Sequence, residues 1–193
     1  ASQMSGEIVN RSAIARDVGV DDMTVESYYE ILEDTLMSVT LPAYHRSVRK
    51  SQRQASKIYL VDTGITRALA RQLAIPVQPS TSSYGKYFEQ FFILEVIKTA
   101  SYKRKEWKFS YIRTKDDVEI DLIIERPEVS TQPLLIEIKS KPRVTERDAT
   151  ALQTLGRDLS PKGERWLVSQ DPHEQVWDKT RALHWSKALQ ELF

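Results

Sequence analysis

Glu119-Ile-Asp-Leu-Ile-Ile124 and Leu134-Leu-Ile-Glu-Ile-Lys139 decide the fold. Each is a short apolar run carrying charge at alternate positions, and the segment between them holds Pro127 and Pro133. Side chains alternate along a strand, so Glu137 and Lys139 share one face and Ile136 and Ile138 take the other. Charge in an otherwise apolar strand needs a partner or a function, because an unpaired buried charge costs several kcal/mol. If the two runs pair as a hairpin centred near Val129, Asp121 lies opposite Glu137 and Glu119 opposite Lys139. Opposed residues have Cβ atoms about 4.5–5.5 Å apart. Two carboxylates that close repel, and one takes up a proton unless a cation lies between them. A one-residue slip in register would put the two acids on opposite faces.

Working outward, Tyr84 to Ala100 reads as a helix with Phe88, Phe91, Phe92, Val96 and Ile97 on a broad apolar face. Lys108 to Arg113 reads as a strand, Thr145 to Leu159 as a helix, and Arg165 to Val168 as a further strand. Val176 to His184 holds a short extended piece, and Ser186 to Phe193 a terminal helix. The order αβββαβ predicts an α/β sandwich rather than a doubly wound sheet.

Upstream, the Pro- and hydroxyl-rich stretch from Ile75 to Ser83 reads as a linker. It separates a module over residues 1–76 from a domain over residues 83–193. In the first part, Asn10 or Ser12 caps a helix that ends at Gly19. Asp21 or Asp22 caps a second helix with Val25, Tyr28, Tyr29, Leu32 and Leu36 at helical spacing. Strands are expected at 36–41 and 57–61, and a helix capped by Asp62 or Thr63 runs to Leu73. Helix, turn, helix and two strands predict a winged-helix-like module.

The 193 residues are 40% hydrophobic and 28% charged, which suits a globular protein of one or two domains. No apolar run approaches the roughly 18 residues of a membrane span, so no membrane partner is expected. The absence of cysteine excludes disulfides and thiolate metal sites, and it fits a cytoplasmic protein. With only His45, His173 and His184 available, any metal is expected on carboxylates, which favours Mg²⁺ or Mn²⁺.

Charge is unevenly spread. Residues 1–44 carry eight acids and two bases, and residues 45–57 carry five bases and no acid. The second helix offers Asp21, Asp22, Glu26, Glu30, Glu33 and Asp34, which repel a duplex, so a protein contact is expected there. Arg46, Arg49, Lys50 and Arg53 at the wing tip are candidate phosphate contacts, as is Arg113.

The charged residues of the hairpin suit phosphodiester hydrolysis. Asp121 and Glu137 could hold Mg²⁺, which acidifies a bound water. Lys139 could orient that water or stabilise charge in the transition state. Glu89, on the preceding helix, could add a metal ligand or position a water, and Glu95 is its rival. Structural alternatives stand beside each assignment. Glu137 and Lys139 could form an exposed strand edge with a Glu119–Lys139 pair, Arg113 could pair with Glu119, and Gln153 could simply face solvent.

Asp121, Glu137-x-Lys139 and a preceding helix bearing Glu89 together resemble the PD-(D/E)xK nuclease superfamily, although Ile120 stands where the superfamily's name has proline. A wider likeness runs through Lys57-Ile-Tyr-Leu-Val-Asp-Thr-Gly64, Gly85-Lys-Tyr-Phe-Glu89, Tyr111-Ile-Arg-Thr114, Glu119-Ile-Asp-Leu122 and Ile136-Glu-Ile-Lys-Ser140. Together these resemble the C-terminal region of a prokaryotic family of AAA+ ATPases, in which a P-loop ATPase precedes a winged-helix segment and a nuclease-like domain. The resemblance implies a restriction-endonuclease-like α/β fold and a Mg²⁺-dependent DNA nuclease with catalytic Glu89, Asp121, Glu137 and Lys139. It also implies that the chain is the C-terminal part of a longer protein whose N-terminal ATPase domain is its partner. The chain has no G-x-x-x-x-G-K-[ST] motif, so it is not expected to bind ATP itself. The alternative is a non-catalytic nuclease-fold module that binds nucleic acid or protein for that ATPase.

Overall fold

Helix caps set the first elements. The Asn10 side chain accepts from the Ala13 N–H at 3.0 Å and starts α1 (Arg11–Val18). Gly19 closes that helix at φ 74°, where a side chain would be strained, and its N–H reaches the Ala15 carbonyl at 2.9 Å. Asp21 accepts from the Thr24 N–H at 2.6 Å and starts α2 (Asp22–Asp34). The computed structural model describes residues 5–45 and 55–193 of this chain.

The described residues divide into two compact units, Ala1–Pro76 and Val77–Phe193. In the first unit, β1 (Ser38–Leu41) pairs antiparallel with β2 (Lys57–Leu60), which also bridges to Ile8. The first strand begins two residues later than expected. The turn ending α2 continues to Met37, whose N–H bonds the Leu32 carbonyl, and Leu36 sits at φ 57°. The helix α3 (Thr63–Leu69) is held at its start by Asp62, which accepts from the Gly64 and Ile65 N–H groups. It stops four residues short of Leu73, because Arg71 adopts φ 57° and the Arg67 guanidinium caps the carbonyls of Gln72, Leu73 and Ile75. Val9, Ala15, Val25, Leu41, Tyr59 and Leu60 are buried in this unit.

The second unit is built on a six-stranded mixed sheet. Its strands are β3 (Lys108–Arg113), β4 (Glu119–Glu125), β5 (Leu134–Ile138), β6 (Arg165–Ser169), β7 (Gln175–Trp177) and β8 (Thr180–His184). They lie in the order β3-β4-β5-β6-β8-β7. The first three form an antiparallel meander, β5–β6 and β6–β8 are parallel, and β7–β8 is antiparallel. Parallel neighbours need a crossover, and α5 (Thr150–Leu159) supplies the one between β5 and β6. The long helix α4 (Ser82–Tyr102), capped by Thr81, precedes the sheet, and α6 (Trp185–Leu192) follows it.

Where helices cover both faces, strands become apolar throughout. All five residues of β5 and of β6 are buried, as are Ile120 to Ile124. Of the apolar residues expected to face the core from α4, Phe92 and Val96 are buried, while Phe88, Phe91 and Ile97 are only partly covered. Phe91 packs edge-on against Trp185 with ring centroids 5.3 Å apart. At the start of β6, Arg165 is 2% exposed beneath Gly156, whose added Cβ would stand 2.5 Å from the guanidinium Nε. Its nearest carboxylate is Asp178, at 3.9 Å.

Candidate functional site

The β4–β5 hairpin takes the register expected from its apolar runs: Leu122 pairs with Ile136, Ile123 with Leu135, and Ile124 with Leu134. The ladder stops there. At the next step Asp121, 8% exposed, turns its side chain across the pair, and its Oδ2 accepts from the Ile138 N–H at 2.7 Å. A carboxylate thus replaces the strand partner of that amide and is fixed in place by it.

Glu137 lies on β5, 5% exposed. Lys139 Nζ donates to its Oε1 at 2.5 Å, and Oε2 is buried with no hydrogen-bond partner among the described residues. Burial raises the Glu137 pKa above its ordinary value. Lys139 opposes that shift, and the negative charges of Glu119 and Glu89 add to it. Burial alone would lower the Lys139 pKa, but the charges of Glu137 and Asp121 outweigh it and raise the pKa. Burial therefore dominates at Glu137, whereas neighbouring carboxylates prevail at Lys139.

Glu89, in the first half of α4, supplies that helix's share of the negative field at Glu137. The side chains do not gather into a three-carboxylate cage. Among the described residues, no group of three or more His, Asp or Glu is placed to hold a metal. Asp121 and Glu137 could together hold a hard cation, since oxygen donors suit it and Oε2 of Glu137 is buried without a hydrogen-bond partner among the described residues. The placement of Glu89 supports a role through charge more directly than one as a third ligand.

The remaining candidates are placed as follows. Arg113 bonds Asp117 at 3.1 Å and reaches Glu119 at 3.9 Å, so it is engaged in ion pairs next to the hairpin. Gln153 donates to Glu146 at 3.2 Å. Arg46, Arg49, Lys50 and Arg53 lie outside the described residues.

Two features of the surroundings were not singled out from sequence. Asp148 pairs with Lys141 and closes a capping box with Thr145, and its charge also reaches Lys139. The Thr145-x-x-Asp148 spacing was the available signal. Gln170 Nε2 donates to the Tyr84 hydroxyl at 2.9 Å and to the Ser140 carbonyl at 3.0 Å, tying the start of α4 to the backbone just after Lys139. Nothing local in the sequence signals a contact 86 residues apart.

Residues 84–187, which carry this whole arrangement, match the family described as a domain of unknown function (DUF4143). The chain belongs to that family. Residues 1–75 match a second domain of unknown function (DUF8612). Uncharacterized proteins of Mycobacterium tuberculosis (strain H37Rv) and Mycobacterium bovis are each 30% identical to this chain over 155 residues. The match covers 78% of this chain and 33% of each relative, so the chain spans about a third of the length of these curated relatives. Among solved structures, a chain from an assembly of Thermococcus gammatolerans McrB AAA+ hexamers with bound McrC is similar at TM-score 0.38 and 9% identity. That similarity covers 87% of this chain and 66% of the other. Among the described residues, no helix is long and apolar enough to cross a membrane.

Proposed function

We propose that the DUF4143 domain of this chain is a PD-(D/E)xK-type, Mg²⁺-dependent DNA nuclease domain, preceded by a winged-helix-like module. The observation that carries the reading is the end of the β4–β5 hairpin. There Asp121 is fixed by the Ile138 amide, Glu137 keeps a buried oxygen without a partner, and Lys139 stands against both acids. Mg²⁺ or Mn²⁺ bound by Asp121 and Glu137 would acidify a water for attack on a phosphodiester. Lys139 would orient the attacking water and offset the negative charge that develops on the phosphoryl oxygens. Glu89 strengthens the negative field that draws the cation in. The sequence resemblance supports reading this domain as the C-terminal part of an AAA+ ATPase whose ATP-hydrolysing domain would lie in an N-terminal region.

A second reading, a non-catalytic module that binds nucleic acid or protein for the ATPase, is favoured by one contact. Glu137 already has a counter-ion in Lys139, at 2.5 Å. Calorimetric titration with Mg²⁺ and Mn²⁺, with DNA cleavage assayed on the same samples, separates the two. The nuclease reading expects metal binding that Asp121→Ala abolishes, and cleavage that both Asp121→Ala and Lys139→Ala abolish. No binding by the unaltered chain at millimolar metal would leave the non-catalytic module.

A further inference from the structure

The second helix of the first unit is poorly used by its own fold. Of the thirteen residues of α2, Val25 is the buried one. Met23, Tyr28 and Ile31 face outward at 78%, 64% and 54% exposure, and Val18 at the end of α1 and Val20 in the turn after it are exposed too. Met23, Ser27 and Ile31 follow at i, i+4 and i+8 and share one face, with Tyr28 about 60° further round the helix from Ile31. An apolar helix face left in water marks a contact surface.

Beside that face runs an acidic one. Asp22, Glu26 and Glu30 repeat every four residues, and Glu33 continues the row. This row forms one wall of an open groove of about 670 Å³, which Tyr29 and Thr40 also line. Arg11 pairs with Glu26 at 2.5 Å, while among the described residues Asp22 and Glu33 accept from hydroxyl donors, Ser12 at 2.5 Å and Thr40 at 2.9 Å. Glu30 has no ion pair among the described residues. Four of the eight acids of residues 1–44 therefore line one side of the exposed apolar residues.

We propose that this face of α2 docks an amphipathic segment of a protein partner, apolar along its ridge and carrying lysine or arginine on the flank that meets the acidic row. The charge selects the occupant. A nucleic acid would set phosphates against four carboxylates. A second copy packed through the same patch would set acidic row near acidic row, since a two-fold interface joins identical surfaces. A basic flank gains from the acids that Arg11 leaves unneutralised and is steered toward them.

The test uses the full chain and a fluorescently labelled synthetic helical peptide of leucine and lysine, apolar on one face. A peptide of the same pattern with glutamate for lysine is the control. Anisotropy should show the lysine peptide binding and the glutamate peptide failing to bind. The double variant Met23→Ser/Ile31→Ser, which keeps every acid, should weaken binding about tenfold or more. Glu30→Lys should weaken it severalfold and flatten its dependence on salt. Both variants change exposed side chains, and their melting should stay close to that of the unaltered chain. Equal binding of the two peptides, or unchanged binding by the serine variant, would overturn the proposal. So would a dimer seen in sedimentation that the serine variant loses, or duplex DNA binding lost in that variant.

Discussion

Two buried charges sit at opposite ends of the same parallel strand pair, and they are handled differently. Arg165 opens β6 beside Leu135, and Glu137 lies two residues further along β5, beside Leu167. Arg165 is sealed under Gly156, with its nearest carboxylate 3.9 Å away. Glu137 is equally buried, but its partner Lys139 is about a third exposed and reaches it at 2.5 Å. A sealed charge can serve only the fold. A charge whose partner is a partly exposed lysine can exchange that partner for a proton or a cation. The difference separates a sealed end of the sheet from one whose buried charge is coupled to solvent.

The largest effect should come from opening the solvent-coupled end. Lys139→Met leaves Glu137 buried without a counter-ion and should cost about 3–5 kcal/mol at pH 7. Because the Glu137 pKa is raised by burial, the folded chain holds its proton longer than the unfolded chain. Stability from this group is full below the unfolded carboxylate value and falls as pH rises toward the folded value. Urea unfolding should therefore show the loss in Lys139→Met shrinking as pH is lowered toward about 4, near the unfolded value. A loss that is the same at both pH values would mean that Glu137 does not feel Lys139, and the comparison would fail.

A smaller effect is expected from crowding the sealed end. Gly156→Ala places a Cβ 2.5 Å from Arg165 Nε and 2.9 Å from its Cδ. Displacing a buried guanidinium should cost about 1–3 kcal/mol by the same measurement, with no dependence on metal. A stabilising substitution would show that Arg165 is free to move aside. Smallest of all should be Arg165→Met, which removes the buried charge while keeping most of the volume. Stability should stay within about 1 kcal/mol or rise, since an apolar replacement for a poorly paired buried ion is often neutral or better. A severe loss would give Arg165 an organising role comparable to that of Glu137 and erase the distinction.

Local chemistry was legible in the sequence where one residue dictates geometry. Asn10, Gly19, Asp21 and Asp62 act as caps because their side chains or backbone freedom leave few alternatives. The hairpin register could be read because both faces of β4 and β5 are apolar apart from the charges that end them. The sheet beyond β5 could not. Parallel partners such as Ile136 and Trp166 are far apart in sequence, and nothing in either strand names the other. The extended piece expected between Val176 and His184 is two strands, β7 and β8, turning at Asp178 with φ 51°. In the site, Asp121, Glu137 and Lys139 stood out as charges in apolar runs. Arg165 drew no notice because a charge at the first position of a strand looks like an exposed end. The tie from Tyr84 through Gln170 to Ser140 depends on tertiary contacts alone.

The site's core contacts are short in sequence. Asp121 and the Ile138 amide are 17 residues apart, and Glu137 and Lys139 are two apart. Closing a loop of that size takes little chain entropy, and hairpins form in about 1–10 μs. The parallel ladder from Leu135 to Arg165 must wait for α5 to cross over, a slower event. The hairpin contacts around the two acids and the lysine are therefore expected to form ahead of the parallel ladder, whose closure against β5 completes the burial of Glu137.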